Sequence, residues 1–237
     1  MIIGGTGKIG SRMVPRLTAL GHEVVAASPS TGVNAITGEG LAPALAGADV
    51  VVDVSNRPAL DADAALKFFR TSTSNVLAAA QGIRHFVLLS VVGVDQLTDS
   101  AYLGAKFAQE ELVRESGLPY TIVRATQFFE FVEGIGQAAT DGDVVRLPPV
   151  LFRPIAAADV ADAMATAALA EPRNGMVDIA GPEVFRIDEL VGKVAPHEVV
   201  ADPSASYFGA TVTENTLVPG QDAVLYATRF ADWRQDT

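Results

Sequence analysis

The sequence contains no cysteine, only three histidines and one tryptophan, and aromatic residues make up just 7% of its 237 positions. No disulfide and no thiolate metal site can form, and nothing in the chain calls for an oxidising compartment. His22, His85 and His197 stand far apart, each at an ordinary turn or strand edge, so no metal site is expected. Cations are scarce as well: 17 Lys and Arg against 28 Asp and Glu leave a net charge of −11, with no basic run anywhere. A surface of that sign repels a phosphodiester backbone, which argues against nucleic acid as a partner. No apolar run reaches the ~18 residues of a membrane span, and no N-terminal stretch has the basic, apolar, small-residue order of a secretory leader. The expectation is a cytoplasmic protein without membrane attachment, acting on a small-molecule substrate. A homodimer formed through surface helices is compatible with this composition.

What the chain does have is apolar mass. Hydrophobic residues are 49% and charged ones 19%, enough for a large core, and the weight falls on Ala and Val, which suit helices packed closely on a buried parallel sheet. The order of elements agrees. Met1–Ile3 reads as a short strand, followed by a helix with Met13, Val14, Leu17 and Leu20 on one face that stops at Gly21. Glu23–Ala27 and Asn34–Thr37 read as the second and third strands. Asp49–Val54 is an uninterrupted apolar strand and should be central and parallel. A long helix is predicted over Asp61–Gln81, then strands at Phe86–Ser90, Tyr120–Arg124 and Met176–Ala180, with a helix near Ala157–Leu169. Alternation of this kind predicts an α/β fold with a doubly wound parallel sheet of Rossmann type and right-handed crossovers. Residues 1–125, completed by 155–181, would form that core. Residues 126–154 and 182–237, which break the pattern, would form a small substrate-facing region.

Gly4, Gly7 and Gly10 recur at every third position between the first strand and the first helix. Such a loop turns tightly, lets a pyrophosphate approach the backbone, and opens a helix whose free N–H groups and dipole favour phosphate. The context of strand, loop, amphipathic helix and second strand points to a nicotinamide dinucleotide. The first strand is its weak feature, abbreviated or begun late, and a short strand weakens the site. The second strand ends Ala26-Ala27-Ser28-Pro29-Ser30-Thr31, without the acid that usually holds the ribose hydroxyls of NAD. Ser28, Ser30 and Thr31 offer hydroxyls to a 2′-phosphate, with Lys8 or Arg12 as nearby charge. NADP(H) is therefore preferred, with NAD(H) as the alternative. Ser55 and Asn56 follow the central strand and should border the cofactor, or else serve as turn residues.

Beyond Ser90, Tyr102 and Lys106 fall on one face of a helix at spacing i, i+4. A phenol ionises near pH 10 and is a poor proton-transfer group at neutrality unless a nearby ammonium lowers it. With Ser90 binding a carbonyl oxygen, the three could supply a proton while hydride arrives from the nicotinamide. Tyr102 as a packing residue and Lys106 as a ribose ligand are the competing readings.

Gly4–Gly10, the strand ending at Ser90, the Tyr102/Lys106 pair and Leu118–Arg124 resemble the atypical short-chain dehydrogenase/reductases, in particular the NmrA-like NAD(P)-binding proteins. Arg153-Pro154-Ile155, Asp159-Val160-Ala161 and Ile179–Glu183 resemble them too, so the likeness extends to about Ala195. The resemblance implies a Rossmann domain with NADP(H) or NAD(H) in its crevice. It implies that Gly4, Thr6, Gly7, Lys8, Ile9 and Gly10 carry the pyrophosphate, that Ser28 and Ser30 lie near the adenosine ribose, and that Lys106 lies near the nicotinamide ribose. It places Gln127 and Phe128 on the substrate side, with one of the pair Phe128 and Phe129 expected in the core. Proteins of that kind include reductases of quinones and carbonyls and also redox sensors without turnover, so both readings stand at this point.

Overall fold

A computed structural model of the chain describes residues 1–56 and 62–235. The first half supplies β1 (Ile2–Ile3), α1 (Gly10–Ala19), β2 (Ala26–Ala27), α2 (Leu41–Leu45) and β3 (Val50–Asp53). It continues through α3 (Ala62–Ala79), β4 (His85–Val91), α4 (Ala101–Glu115) and β5 (Tyr120–Ala125). The chain then departs into α5 (Val132–Ala138), β6 (Thr140–Asp141), β7 (Val144–Leu147) and β8 (Leu151–Phe152), and returns with α6 (Ala157–Leu169) and β9 (Gly175–Ala180). The remainder is β10 (Phe185–Arg186), α7 (Ile187–Gly192), β11 (Glu198–Ala201), β12 (Val224–Leu225) and α8 (Phe230–Gln235).

Seven of these strands form one parallel sheet in the order β12-β9-β5-β4-β3-β1-β2. From β1 the chain moves outward to β2, then crosses back to β3 on the other side. This reversal opens a crevice at the carboxyl ends of β1 and β3, the place where doubly wound sheets bind ligands. Neighbouring residues in each strand bury on opposite faces, as strand geometry requires. Ile2, Val52, Val87 and Val123 pack beneath α1 and α6, while Ile3, Val51, Phe86, Leu88 and Ile122 pack beneath α2, α3 and α4. Each fully buried side chain of this size is worth about 1.5–3 kcal/mol relative to exposure. The alanines of α6 (Ala157, Ala161, Ala165 and Ala168 are all buried) let that helix lie close to the sheet.

The short first strand is held from both sides. Ile2 N donates to Val25 O at 2.8 Å, Val54 N donates to Ile3 O at 3.0 Å, and the Met1 ammonium donates to Val50 O at 2.8 Å.

Two expected strands differ. Asn34–Thr37 is a turn: the Asn34 side-chain oxygen accepts from Ile36 N at 2.9 Å and Thr37 N at 3.3 Å, and Asn75 Nδ2 donates to the carbonyls of Ala35 and Ile36. Side chains thus take the backbone groups that a ladder would need, and the sheet ends at β2. Glu23–Ala27 shrinks to Ala26–Ala27, which pairs only with the equally short β1. The helix expected over Asp61–Gln81 runs from Ala62 to Ala79, and Asp61 lies outside the described residues.

Residues 126–154 and 182–235 build a three-stranded sheet β11-β7-β6 and the pair β10-β8 around a core that includes Phe129, Ile135, Leu147, Phe152, Leu190 and Phe230. One strand of this stretch, β12, pairs instead with β9 at the edge of the main sheet.

Candidate active site

The glycines of the first loop divide their work. Gly4 has φ +78°, and a Cβ there would come within 2.8 Å of the Ser55 backbone. A Cβ on Gly10 would lie 2.4 Å from Gly4 O, and one on Gly5 would lie 2.6 Å from Ala26 Cα. These three let α1, β2 and the end of β3 converge. Gly5 was not singled out in the sequence, because it falls at a variable position of the every-third spacing. Gly7 is different: its nearest neighbour to an added Cβ is Gly4 O at 3.2 Å, and the residue is exposed at the cavity wall. Gly7 keeps the outer face of the loop low. The first turn of α1 carries no acid, so nothing there opposes a phosphate.

A cavity of about 1040 Å³ extends from this loop along the carboxyl edge of the sheet. Gly4, Thr6, Gly7, Lys8 and Ile9 line it, while Gly10 lies behind them. On the β2 side the wall is Ser28, Pro29 and Val33 through Ile36. The turn at Asn34, expected as a strand, is therefore a wall of the site, and its residue types carried no signal of that.

Of the three hydroxyls after β2, only Ser28 reaches the wall. Thr31 Oγ1 accepts from Ser28 N and donates to Ala26 O, both at 2.9 Å, so it caps the turn. Ser30 is exposed and its Oγ lies 2.8 Å from Ser28 Oγ, behind the lining residue. Arg12 turns to the Lys8 carbonyl at 2.6 Å, and the Lys8 ammonium stands 5.1 Å from the Phe131 ring centroid. Lys8 therefore brings positive charge to the loop side of the cavity, while Arg12 is not part of its wall.

At the centre, β3, β4 and β5 deliver Ser55, Asn56, Ser90, Thr126 and Gln127 to the wall. Ser90 Oγ and Thr126 Oγ1 are buried without a hydrogen-bond partner, and the Gln127 amide lies within reach of the Tyr207 phenol. Buried polar atoms are nearly always satisfied in folded proteins, so hydroxyls left open at a cavity wall are available to a ligand or to water. Tyr102 and Lys106 rise from α4, which begins where Ser100 caps it. The three candidate catalytic residues, Ser90, Tyr102 and Lys106, thus face one cavity.

The relation expected between Tyr102 and Lys106 is not the one found. The Tyr102 hydroxyl donates to Asn56 Oδ1 at 3.1 Å, and burial pushes its pKa up to about 12, opposed by that bond. The Lys106 ammonium is committed elsewhere, to Leu89 O at 2.7 Å and Gln109 Oε1 at 2.5 Å. Burial lowers Lys106 to about 8, against the pull of Asp53 and Glu110. The phenol is thus kept neutral and the ammonium is tethered below it. Gln109, which the sequence reading missed, connects this amine to Asp53 Oδ2 at 3.2 Å and Thr73 Oγ1 at 2.9 Å. Asp53 is itself raised above the usual carboxylate range by burial.

A further part of the cavity wall is aromatic. Phe128 lines the cavity and stacks on Phe131 with ring centroids 5.4 Å apart, whereas Phe129 is the core member of the pair, edge-on to Phe230. Tyr207 and Phe208 complete this wall from the segment between β11 and β12. Burial raises the Tyr207 phenol, which lies beside Gln127.

The glycine loop, the helix N-terminus without acid, the acid-free end of β2 and the unpartnered polar atoms fit a dinucleotide along this cavity. Comparisons with known proteins agree. Over 214 residues the chain is 28% identical to the (4-alkanoyl-5-oxo-2,5-dihydrofuran-3-yl)methyl phosphate reductase of Streptomyces griseus, covering 82% of this chain and 72% of that enzyme. It is 28% identical over 155 residues to a photosystem II assembly factor of Synechocystis sp., covering 59% of this chain and 47% of that protein, so it spans about half the length of that relative. Its fold superposes with a TM-score of 0.61 on an NADPH-dependent quinone oxidoreductase of Escherichia coli complexed with NADPH, at 19% identity over 85% of this chain and 77% of that one. Among the described residues no helix is long and apolar enough to cross a membrane. A model of the NAD(P)H-binding family matches residues 4–172, and the chain belongs to that family.

Proposed function

We propose that the protein is an NADPH-dependent reductase that delivers hydride to a small, largely apolar acceptor such as a quinone or carbonyl. One observation carries this reading: a single cavity joins the glycine loop to an aromatic chamber in which the Ser90 and Thr126 hydroxyls stand buried and unpartnered, beside the Gln127 amide. The bound cofactor supplies the hydride from its nicotinamide. Ser90 Oγ and the Gln127 amide hold the acceptor oxygen. Tyr102, neutral at physiological pH, gives that oxygen a proton while Asn56 accepts from the phenol at rest. Lys106 has three N–H donors and spends two within the protein, leaving one for the cofactor ribose. The absence of an acid after β2 and the Ser28 hydroxyl at the wall favour a 2′-phosphate, as does the NADPH held by the Escherichia coli neighbour. The chain's lack of cysteine is compatible with a cytoplasmic setting.

A second reading, a cofactor-binding regulator without turnover, draws on one feature, the tethered Lys106 that leaves Tyr102 at a pKa of about 12. Its support is the kinship with an assembly factor. Purified protein separates the two when NADPH oxidation is followed with a panel of quinones and aldehydes. Consumption of NADPH with some member is expected. Tight NADPH binding with no turnover on any of them would leave the regulator.

A further inference from the structure

Six aromatic residues line the cavity: Phe68, Tyr102, Phe128, Phe131, Tyr207 and Phe208. That is a large share of a chain with 11 Phe, 4 Tyr and one Trp. Of the six, Phe208 sits where local chemistry least favours it. Tyr207 and Ala210 exchange backbone hydrogen bonds of 2.8 and 3.0 Å, and between them Phe208 and Gly209 have φ of +49° and +87°. Two successive positive φ values define a type I′ turn, whose first central position ordinarily takes Asn, Asp or Gly. A bulky side chain there is strained. Nor is the ring retained for the core, since Phe208 remains 49% exposed, edge-on to Tyr207 with centroids 4.8 Å apart. Strained residues of this kind gather at functional sites.

Its position supplies the reason. A second cavity of about 290 Å³ adjoins the first, bordered by Ala139, Arg146 and Leu147, and both cavities share Ile135, Tyr207 and Phe208 as walls. We infer that Phe208 is a specificity-determining residue, a partition between the acceptor chamber and this neighbouring cavity that limits how long an acceptor can be. The inference rests on the proposed reading that the aromatic chamber takes the acceptor. Replacing the phenylalanine with glycine relieves the turn and joins the two spaces, so that a tail attached to the acceptor ring finds room along Ile135, Ala138, Ala139 and Leu147, with Thr140, Asp141, Arg146 and Ser206 as the polar part of the wall. Leucine keeps a partition of reduced size.

Phe208→Gly and Phe208→Leu test this in the full chain. Binding of 1,4-benzoquinone and of a decyl-substituted benzoquinone to the protein–NADP+ complex is measured by calorimetry, beside NADPH oxidation and thermal melting. For Phe208→Gly the expected result is a higher melting temperature, an NADP+ Kd within twofold of wild type, and at least a tenfold gain in affinity for the decyl quinone relative to benzoquinone. Phe208→Leu should gain less. An unchanged affinity ratio in the glycine variant, with NADP+ binding intact, overturns the inference, as does failure of both quinones to bind. Quinones that bind in the expected pattern without being reduced defeat the reductase reading and leave the partition standing. Reduction with an unchanged ratio does the opposite.

Discussion

The hydroxyl of Tyr102 donates to the side-chain oxygen of Asn56 at 3.1 Å, joining the first turn of α4 to the loop after β3 across the mouth of the cavity. The bond ties a neutral phenol to a neutral amide, and under the proposed reading Tyr102 acts as a proton donor and not as a phenolate base.

Tyr102→Phe removes the proton and keeps the ring, which packs edge-on against Phe69 at 5.8 Å. Steady-state kinetics should show turnover reduced at least tenfold, about 1.4 kcal/mol, with the NADPH Kd unchanged. An unaltered rate would make Tyr102 a packing residue. The same variant isolates a pH effect. Below pH 10 the phenol is neutral in both folded and unfolded states. Between 10 and about 12 the unfolded chain loses the proton first, so folding stability falls as pH rises through that window. Wild type should lose stability there more steeply than Tyr102→Phe in melts at fixed pH.

Lys106 works in the opposite direction. Its amine is lowered to about 8 by burial, with Asp53 on β3 and Glu110 on α4 opposing the shift. Below pH 8 both folded and unfolded states carry the charge and the burial cost is fully present. From 8 to about 10.5 the folded state sheds its proton first, and stability rises with pH. Relative to Lys106→Met, wild type should therefore gain melting temperature across that interval. If the ammonium holds the cofactor ribose, NADPH affinity should weaken as pH climbs through 8, by about 1.5–3 kcal/mol for a charged hydrogen bond. Lys106→Met should show a flat, weaker profile, and a wild-type profile that is equally flat would remove Lys106 from the cofactor.

The loop glycines should separate folding from binding. A Cβ at Gly10 meets backbone at 2.4 Å, while one at Gly7 meets Gly4 O at 3.2 Å and otherwise has room. Gly10→Ala should lower the melting temperature sharply. Gly7→Val should fold, by circular dichroism, and lose dinucleotide binding by at least tenfold in titration. Normal NADPH affinity in folded Gly7→Val would place the pyrophosphate elsewhere.

Ser28 is the hydroxyl residue after β2 that lines the cavity, and the proposed preference for NADP(H) assigns it to the 2′-phosphate. Ser28→Asp introduces the carboxylate that NAD sites use and repels a 2′-phosphate. The ratio of NADPH to NADH affinity should fall by at least tenfold, read by fluorescence titration. A wild-type protein that binds NADH more tightly than NADPH would overturn the NADP preference.

The sequence by itself determined the cofactor loop and the winding of the sheet. Glycine is legible at Gly4, Gly7 and Gly10 because the lack of a Cβ is a local property, and the apolar strand Val50–Asp53 is legible because burial on both faces leaves a continuous run. Ser90, Tyr102 and Lys106 could be placed along the cavity for the same reason, since each follows a strand or opens a helix within a few residues of it, whereas Gln127 and Phe128 were placed by the family resemblance. Tertiary structure decided what long-range burial controls. Asn75 on α3 turned Asn34–Thr37 away from the sheet, 39 and 40 positions from the carbonyls it holds. Leu89 on β4 captured the Lys106 ammonium together with Gln109 one turn along α4, and desolvation raised Tyr102, reversing the expected lowering. Tyr207 and Phe208 reached the aromatic part of the cavity wall from the far C-terminal segment. Spacing along a chain reports which side chains share an element. Which of them desolvate one another is settled only when the elements pack.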